Sequence, residues 1–182
     1  LEWTKLQSES MNIPQLTAIS SSDDTDDELI IIENLLRQAK TQFQIDGLLH
    51  GGIKSKFQKK QFETLCLKLN LIPVAPLWEL EPVKYMNDLL DSGFSFMMIT
   101  VSSDGLDEQW LGKLILKSDI ELLRNLSSKF GFNLNFEGGE AETFVINCPL
   151  FSNPIKINKF IKNWDGYRGR FEIVDAELNY NA

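Results

Sequence analysis

The 182-residue chain is 43% hydrophobic and 24% charged, enough apolar mass for the core of one large domain or two small ones. A formal net charge of −8 has the wrong sign for a protein that lives on a phosphate backbone, so no direct nucleic-acid partner is expected. No apolar run approaches the ~20 residues that span a bilayer, and the opening LEWTKLQSES has neither the charged lead nor the apolar stretch of a signal peptide, which predicts a cytoplasmic protein with no membrane partner.

In chain order, SSSDDTDDELIIIENLLRQAKTQF begins acidic and then places Leu29, Ile32, Leu36, Ala39 and Phe43 on one face of a helix. Thr25 and Glu28 fit a capping box there, and the aspartates suit the positive end of the helix dipole, a simpler account of them than metal binding. IDGLLHGGI reads as a strand and a glycine turn. SKFQKKQFETLCLKL follows as a helix with Phe62, Leu65, Cys66 and Leu69 on one face and Ser55 with Gln58 at its start. IPVAPLW is a second short strand. Strands alternating with helices predict parallel pairing and an α/β layer architecture.

Beyond Trp78 the texture changes, and a boundary near residue 79 divides 1–78 from 79–182. EPVKYMNDLLDSGF carries Pro82 where a first helical turn tolerates it and Gly93 where the helix stops. FSFMMITV is apolar nearly throughout, as suits a strand covered on both faces. SDIELLRNLSSKFGF is an amphipathic helix opened by Ser118 with Glu121 and closed by Gly131. FNLNFEGGEAETFVINCPLF, NPIKINKF and RFEIVDAEL read as successive short strands, antiparallel, with turns between them. Cys66 and Cys148 lie far apart in apolar surroundings and are expected as reduced, packed thiols. With His50 the single histidine, a zinc site is improbable.

Three stretches are candidates for chemistry. In FEGGEAETF, read as a hairpin, Glu140 and Glu142 project to one face, Glu137 can swing onto it, and Gly138 and Gly139 open the main chain to a ligand. A solvated turn and a cation-binding cluster fit equally at this point. The apolar flanks Phe136 and TFVIN favour partial burial and hence a partner, either magnesium or a cationic substrate. In HGGIKSKFQKK, glycines after a strand lead into a helix start with free amides, and Lys54, Lys56, Lys59 and Lys60 add attraction for phosphate, although a solvated basic helix face is the plainer reading. His50 stands at the strand's carboxyl end, where open α/β sheets bind ligands, and is equally suited to capping or packing. In DGLDEQWLGK, Trp110 is either an aromatic wall or a lid over the core.

Together, GLLHGGIKSKFQKKQFETLCLKLNLIPVAPLW, GFSFMMITVSSDGLDEQWLGK and FEGGEAETFVINCPLF resemble the archaeal and eukaryotic diphthine ammonia ligases, ATP pyrophosphatases of the adenine nucleotide alpha hydrolase type. The resemblance runs from about Thr4 to about Leu178 and is most specific in the EGGExET segment. It implies a HUP-type, Rossmann-like parallel-sheet nucleotide domain in 1–78, followed by a smaller α+β domain in 79–182. Because no SGGKDS-like phosphate loop is present, the nucleotide domain is expected to be incomplete at its N-terminus.

The implied reaction is adenylation by ATP of the carboxylate of diphthine, a modified histidine on a translation elongation factor, and displacement of AMP by ammonia. The matching positions are Gly51, Ser55, Lys56, Gln58, Trp110, Gly112, Glu137, Gly138, Gly139, Glu140, Glu142 and Thr143. On this reading His50, Gly51, Gly52, Ser55, Lys56 and Gln58 hold the nucleotide. Glu137, Glu140 and Glu142 are catalytic and receive ammonium, the trimethylammonium of diphthine, or magnesium at Glu140 and Glu142. Trp78, Trp110, Gly138, Gly139 and Thr143 meet the substrate, with Trp78 or Trp110 offering a π face to the trimethylammonium. ATP and magnesium are the implied cofactors, and a homodimer is a possible assembly. The alternatives are a non-catalytic adenine nucleotide binding module and a related adenylating enzyme with another substrate.

Overall fold

The computed structural model describes residues 2–20 and 24–180, so Asp23 of the acidic run lies outside it. Its elements are α1 (Glu2–Met11), α2 (Thr25–Phe43), β1 (Gly47–Leu49), α3 (Lys56–Leu69), β2 (Ile72–Val74), α4 (Pro82–Asp91), β3 (Ser95–Val101), a single 3-10 turn (Glu108–Trp110), α5 (Lys117–Phe130), β4 (Ala141–Asn147), β5 (Ile155–Trp164) and β6 (Gly169–Leu178). Two compact units result: Gln15–Leu80, and Leu1–Pro14 together with Glu81–Ala182. Among the described residues no helix is long and apolar enough to cross a membrane.

In the Gln15–Leu80 unit, β1 and β2 pair in parallel, Gly47 opposite Ile72 and Leu49 opposite Val74, as alternation of strand and helix predicts. Leu36, Leu65, Cys66, Leu69 and Leu71 form its core, with Leu29 and Ile32 packed against them. Phe43, expected on the same face, is instead 45% exposed at the last turn of α2. The capping box predicted from Thr25 and Glu28 does not form. Asp24 is the cap, its carboxylate accepting the Asp26 amide at 2.8 Å, and Thr25 is already helical. Ser55 caps α3 as expected, accepting from the Gln58 amide at 3.3 Å.

The other unit is a four-stranded antiparallel sheet in the order β4-β3-β6-β5. Central β3 buries Phe96, Met97 and Met98 in succession, which is possible only with both faces covered. On one face, Phe96, Thr143 and Val145 meet Tyr85, Met86 and Leu89 of α4. On the other, Ile99 and Phe144 meet Trp3 of α1. Helix α1 is fastened there by Trp3 Nε1 donating to the Ile173 carbonyl (3.0 Å) and Gln7 Nε2 donating to that of Val145 (2.8 Å), and so belongs with elements that follow residue 80. Cys66 and Cys148 are both free and buried, and burial pushes the Cys66 thiol up.

Two sequence expectations fail in this unit. Helix α5 is not opened by Ser118 and Glu121. It begins at Lys117, and buried Asp119 accepts the Leu116 amide (2.9 Å) and the Lys113 ammonium (2.5 Å). The segment FNLNFEGGE is not a strand. Phe136 and Gly139 hold φ of 59° and 79°, left-handed values that no strand accepts, and β4 starts only at Ala141.

Candidate functional site

The cause of that turn is Glu140. Its side chain folds back, Oε1 accepting the Asn133 amide and Oε2 the Gly138 amide, both at 2.9 Å. A Cβ on Gly138 would stand 2.7 Å from Glu140 Oε1, and Gly139 supplies the positive φ, so the glycine pair exists to let this carboxylate in. Ser102 locks the far side, its amide donating to the Glu140 carbonyl (2.8 Å) and its hydroxyl to that of Gly139 (2.5 Å). A local carboxylate thus outcompetes the ladder for backbone amides.

The three glutamates therefore do not share one face. Glu140 is spent on the turn. Glu142 is exposed on β4, its amide donating to the Thr100 hydroxyl (2.9 Å), and strand alternation sends its side chain to the face opposite Thr143. Glu137 stays on the turn, where its charge reaches Tyr85. Magnesium does not fit Glu140 and Glu142: the first has both oxygens on amides, the second points elsewhere, and no cluster of three metal-ligating side chains forms among the described residues.

Beneath the turn lies a cavity of about 170 Å³ between α4 and the sheet. Tyr85, Phe94, Phe96 and Phe136 wall it, Met86 and Leu89 extend the wall along α4, and Asn135, Thr143 and Val145 complete it. Phe96 and Met86 are buried to 3% exposure, while Thr143 is open to solvent. Burial, and after it the negative charge of Glu137, push the Tyr85 phenol above its ordinary range. Both polar atoms of the Asn135 side chain are buried and find no hydrogen-bond partner in the protein. Groups left so cost about 1–3 kcal/mol, and in a folded protein they call for an explanation. Sequence reasoning missed Tyr85, Phe94, Phe96, Asn135 and Phe136, because each reads as core or strand; the one local signal was an Asn set between apolar residues beside the EGGE motif.

The predicted nucleotide residues sit together in the Gln15–Leu80 unit, from the carboxyl end of β1 to the first turn of α3. His50 is 6% exposed, stacks on Phe62 with centroids 4.9 Å apart, and accepts the Gly52 amide on Nδ1 (3.3 Å), so packing and capping already occupy it. Gly51, Lys56 and Gln58 are exposed, and Ser55 serves as the cap. The two predicted tryptophans differ in what their rings meet. Trp78 lies under the Lys59 ammonium, 4.3 Å from the ring centroid, and Trp110 is 2% exposed in the core beneath Lys113.

The family model of the diphthamide synthase C-terminal domain matches residues 81–178, which include the cavity, the glutamate turn and all four strands of the antiparallel sheet. The chain belongs to this family. Relatives agree: it is 35% identical over 133 residues to the diphthine--ammonia ligases of Danio rerio and Homo sapiens, covering 72% of this chain and 52% and 49% of those proteins. It is 31% identical over 151 residues to that of Schizosaccharomyces pombe, covering 83% of this chain and 24% of the relative. The chain thus spans about half the length of the vertebrate relatives it matches.

Proposed function

We propose that this chain acts in ATP-dependent amide formation, converting diphthine to diphthamide on a translation elongation factor in the cytoplasm. The carboxylate is adenylated by ATP, ammonia attacks the carbonyl, the new C–N bond forms as the bond to AMP breaks, and pyrophosphate has left in the first step. The observation that carries this reading is the Glu140-clamped turn above an aromatic cavity lined by Tyr85, Asn135, Phe136 and Thr143, inside the domain that the family model matches. Glu140 is then a positioning residue, and Glu137, on the same turn, is the carboxylate that meets cationic substrate groups. The strand end and helix start at Gly51, Ser55, Lys56 and Gln58, with the exposed Lys56 and the positive end of the α3 dipole, suit the phosphates of the nucleotide in a HUP-type layer. Catalysis on this reading comes from positioning and from stabilising charge at the adenylated carboxyl.

The test supplies ATP, ammonium and the diphthine-bearing protein, and follows conversion of acid to amide by intact-protein mass spectrometry together with pyrophosphate release. Amide formation dependent on all three supports the reading. Nucleotide binding without amide formation overturns it in favour of a non-catalytic nucleotide-binding module.

A further inference from the structure

We propose that the outer edge of β5 takes an added strand from a partner protein, an extended segment in which acidic residues alternate with apolar ones. The inference stands apart from the amide chemistry proposed above.

Strand β5 ends the order β4-β3-β6-β5, and among the described residues no strand lies beyond it. Ten residues long, it presents a row of backbone donors and acceptors on which another chain can build. Its register with β6 sorts the side chains. Lys156, Lys159, Phe160, Lys162 and Trp164 stand opposite Glu177, Asp175, Ile173, Phe171 and Gly169, every second residue of β6 and hence one face of the sheet. Strict alternation would send Lys159 to the face away from Lys156 and Lys162; register shifts on either side of Lys159 bring all three lysines to the same face. Ile155, Ile157, Ile161 and Asn163 take the other, opposite Leu178, Ala176, Glu172 and Arg170.

The charges choose the partner. IKINKFIKNW holds three lysines and no acidic residue, in a chain of net charge −8. On its inner side β5 already meets a complementary pattern: Lys156 pairs with Glu177 at 3.5 Å and Lys159 faces Asp175, while Lys162 faces Phe171 and has no acid opposite. A strand laid on the outer side meets the same lysines, and acidic residues on that face answer them. A second copy does not, because antiparallel pairing of β5 with itself puts both sets of lysines on one face. Between the charges, Phe160 stacks on Phe171 with centroids 4.4 Å apart and is still 52% exposed, and Ile161 on the opposite face is 47% exposed. An added strand with acidic and apolar residues in alternation covers apolar surface on both faces at once.

The test titrates the full chain with a blocked peptide in which glutamate alternates with valine, following amide shifts and hydrogen exchange by NMR. At saturation, alternate amides of residues 155–164 should exchange about tenfold or more slowly. The same peptide with lysine in place of glutamate should bind about tenfold more weakly, and the combined Lys159→Gln and Lys162→Gln variant should bind the glutamate peptide about fivefold more weakly. Both lysines are exposed, and unchanged exchange at β6 amides checks that the variant keeps its fold. A glutamate peptide with a central proline keeps the charge and loses a ladder donor, and should also weaken about tenfold. Equal binding of the proline peptide would reduce the effect to plain charge attraction and overturn strand addition, as would protection confined to other residues. Dimerisation through β5 without peptide, or tighter binding of a single-stranded oligonucleotide at the same residues, would overturn the choice of partner. Because no nucleotide or ammonia is present, failure here and failure of amide formation are told apart.

Discussion

The Glu140 carboxylate accepts the Asn133 amide on one oxygen and the Gly138 amide on the other, and this pair of bonds shapes the turn between α5 and β4. Removing it strands the Asn133 amide, which is partly buried. Glu140→Ala should therefore cost about 1–3 kcal/mol in urea unfolding. Glu140→Gln, with one oxygen kept and an NH₂ set against an amide donor, should cost less than Ala but more than nothing. Unchanged stability in both would show that the turn does not depend on this carboxylate.

Tyr85 gives a pH-dependent signature of Glu137. The phenol is held above its ordinary value of about 10, by burial first and by Glu137 second. Stability linked to it is complete below pH ~10, where the unfolded tyrosine is still protonated, and falls as pH rises from there through the folded value. Glu137→Gln should move Tyr85 ionisation downward, toward but not reaching the ordinary value, since burial remains. Tyrosinate absorbance, differenced against Tyr85→Phe, measures the shift, and an unmoved titration would separate the two residues.

The start of α5 offers a contrast between neighbours. Buried Asp119 accepts from Leu116 N and Lys113 Nζ, whereas Ser118 and Glu121 are on no such bond to the helix start. Asp119→Ala should destabilise by about 1–3 kcal/mol, and Ser118→Ala by less than about 0.5 kcal/mol, as is usual for surface changes. Denaturant midpoints of the two variants check this directly.

Ser10 is 1% exposed; its hydroxyl donates to the Asn153 carbonyl (2.5 Å) and accepts the Asn153 amide (3.1 Å), tying α1 to the loop before β5. Ser10→Ala leaves both backbone groups without that partner and should cost about 1–3 kcal/mol. Amide exchange at Asn153 should quicken in the variant, a local readout that a general loss of packing would not single out.

What could be read from the residues alone follows from the range of the forces involved. The apolar run of β3, the helical faces built on Leu36 and Leu65, the Ser55 cap and the Gly131 stop were all legible, because each is set by periodicity or by one local bond. The glutamate turn was not. A period-two reading of FNLNFEGGEAETF is correct from Ala141 onward and fails before it, where one side chain captures amides two and seven residues upstream. The cavity was harder still, since Tyr85 and Thr143 meet only through tertiary packing, and an aromatic on an amphipathic helix looks the same whether it fills a core or walls a pocket. Trp110 showed the converse, a loop aromatic suggestive of a ligand wall that lies under Lys113 in the core.

The parallel ribbon of β1 and β2 leaves Leu49 at 68%, Ile72 at 65% and Val74 at 43% exposure, with neighbouring Leu67 at 84%. Such a ribbon is adhesive: its unsaturated backbone rim and oily side chains invite a like surface to lie against them. Sulfate, which is excluded from protein surfaces and so strengthens burial, should drive this chain into reversible clumps through that rim, and lysine placed at Ile72 should keep the sample clear.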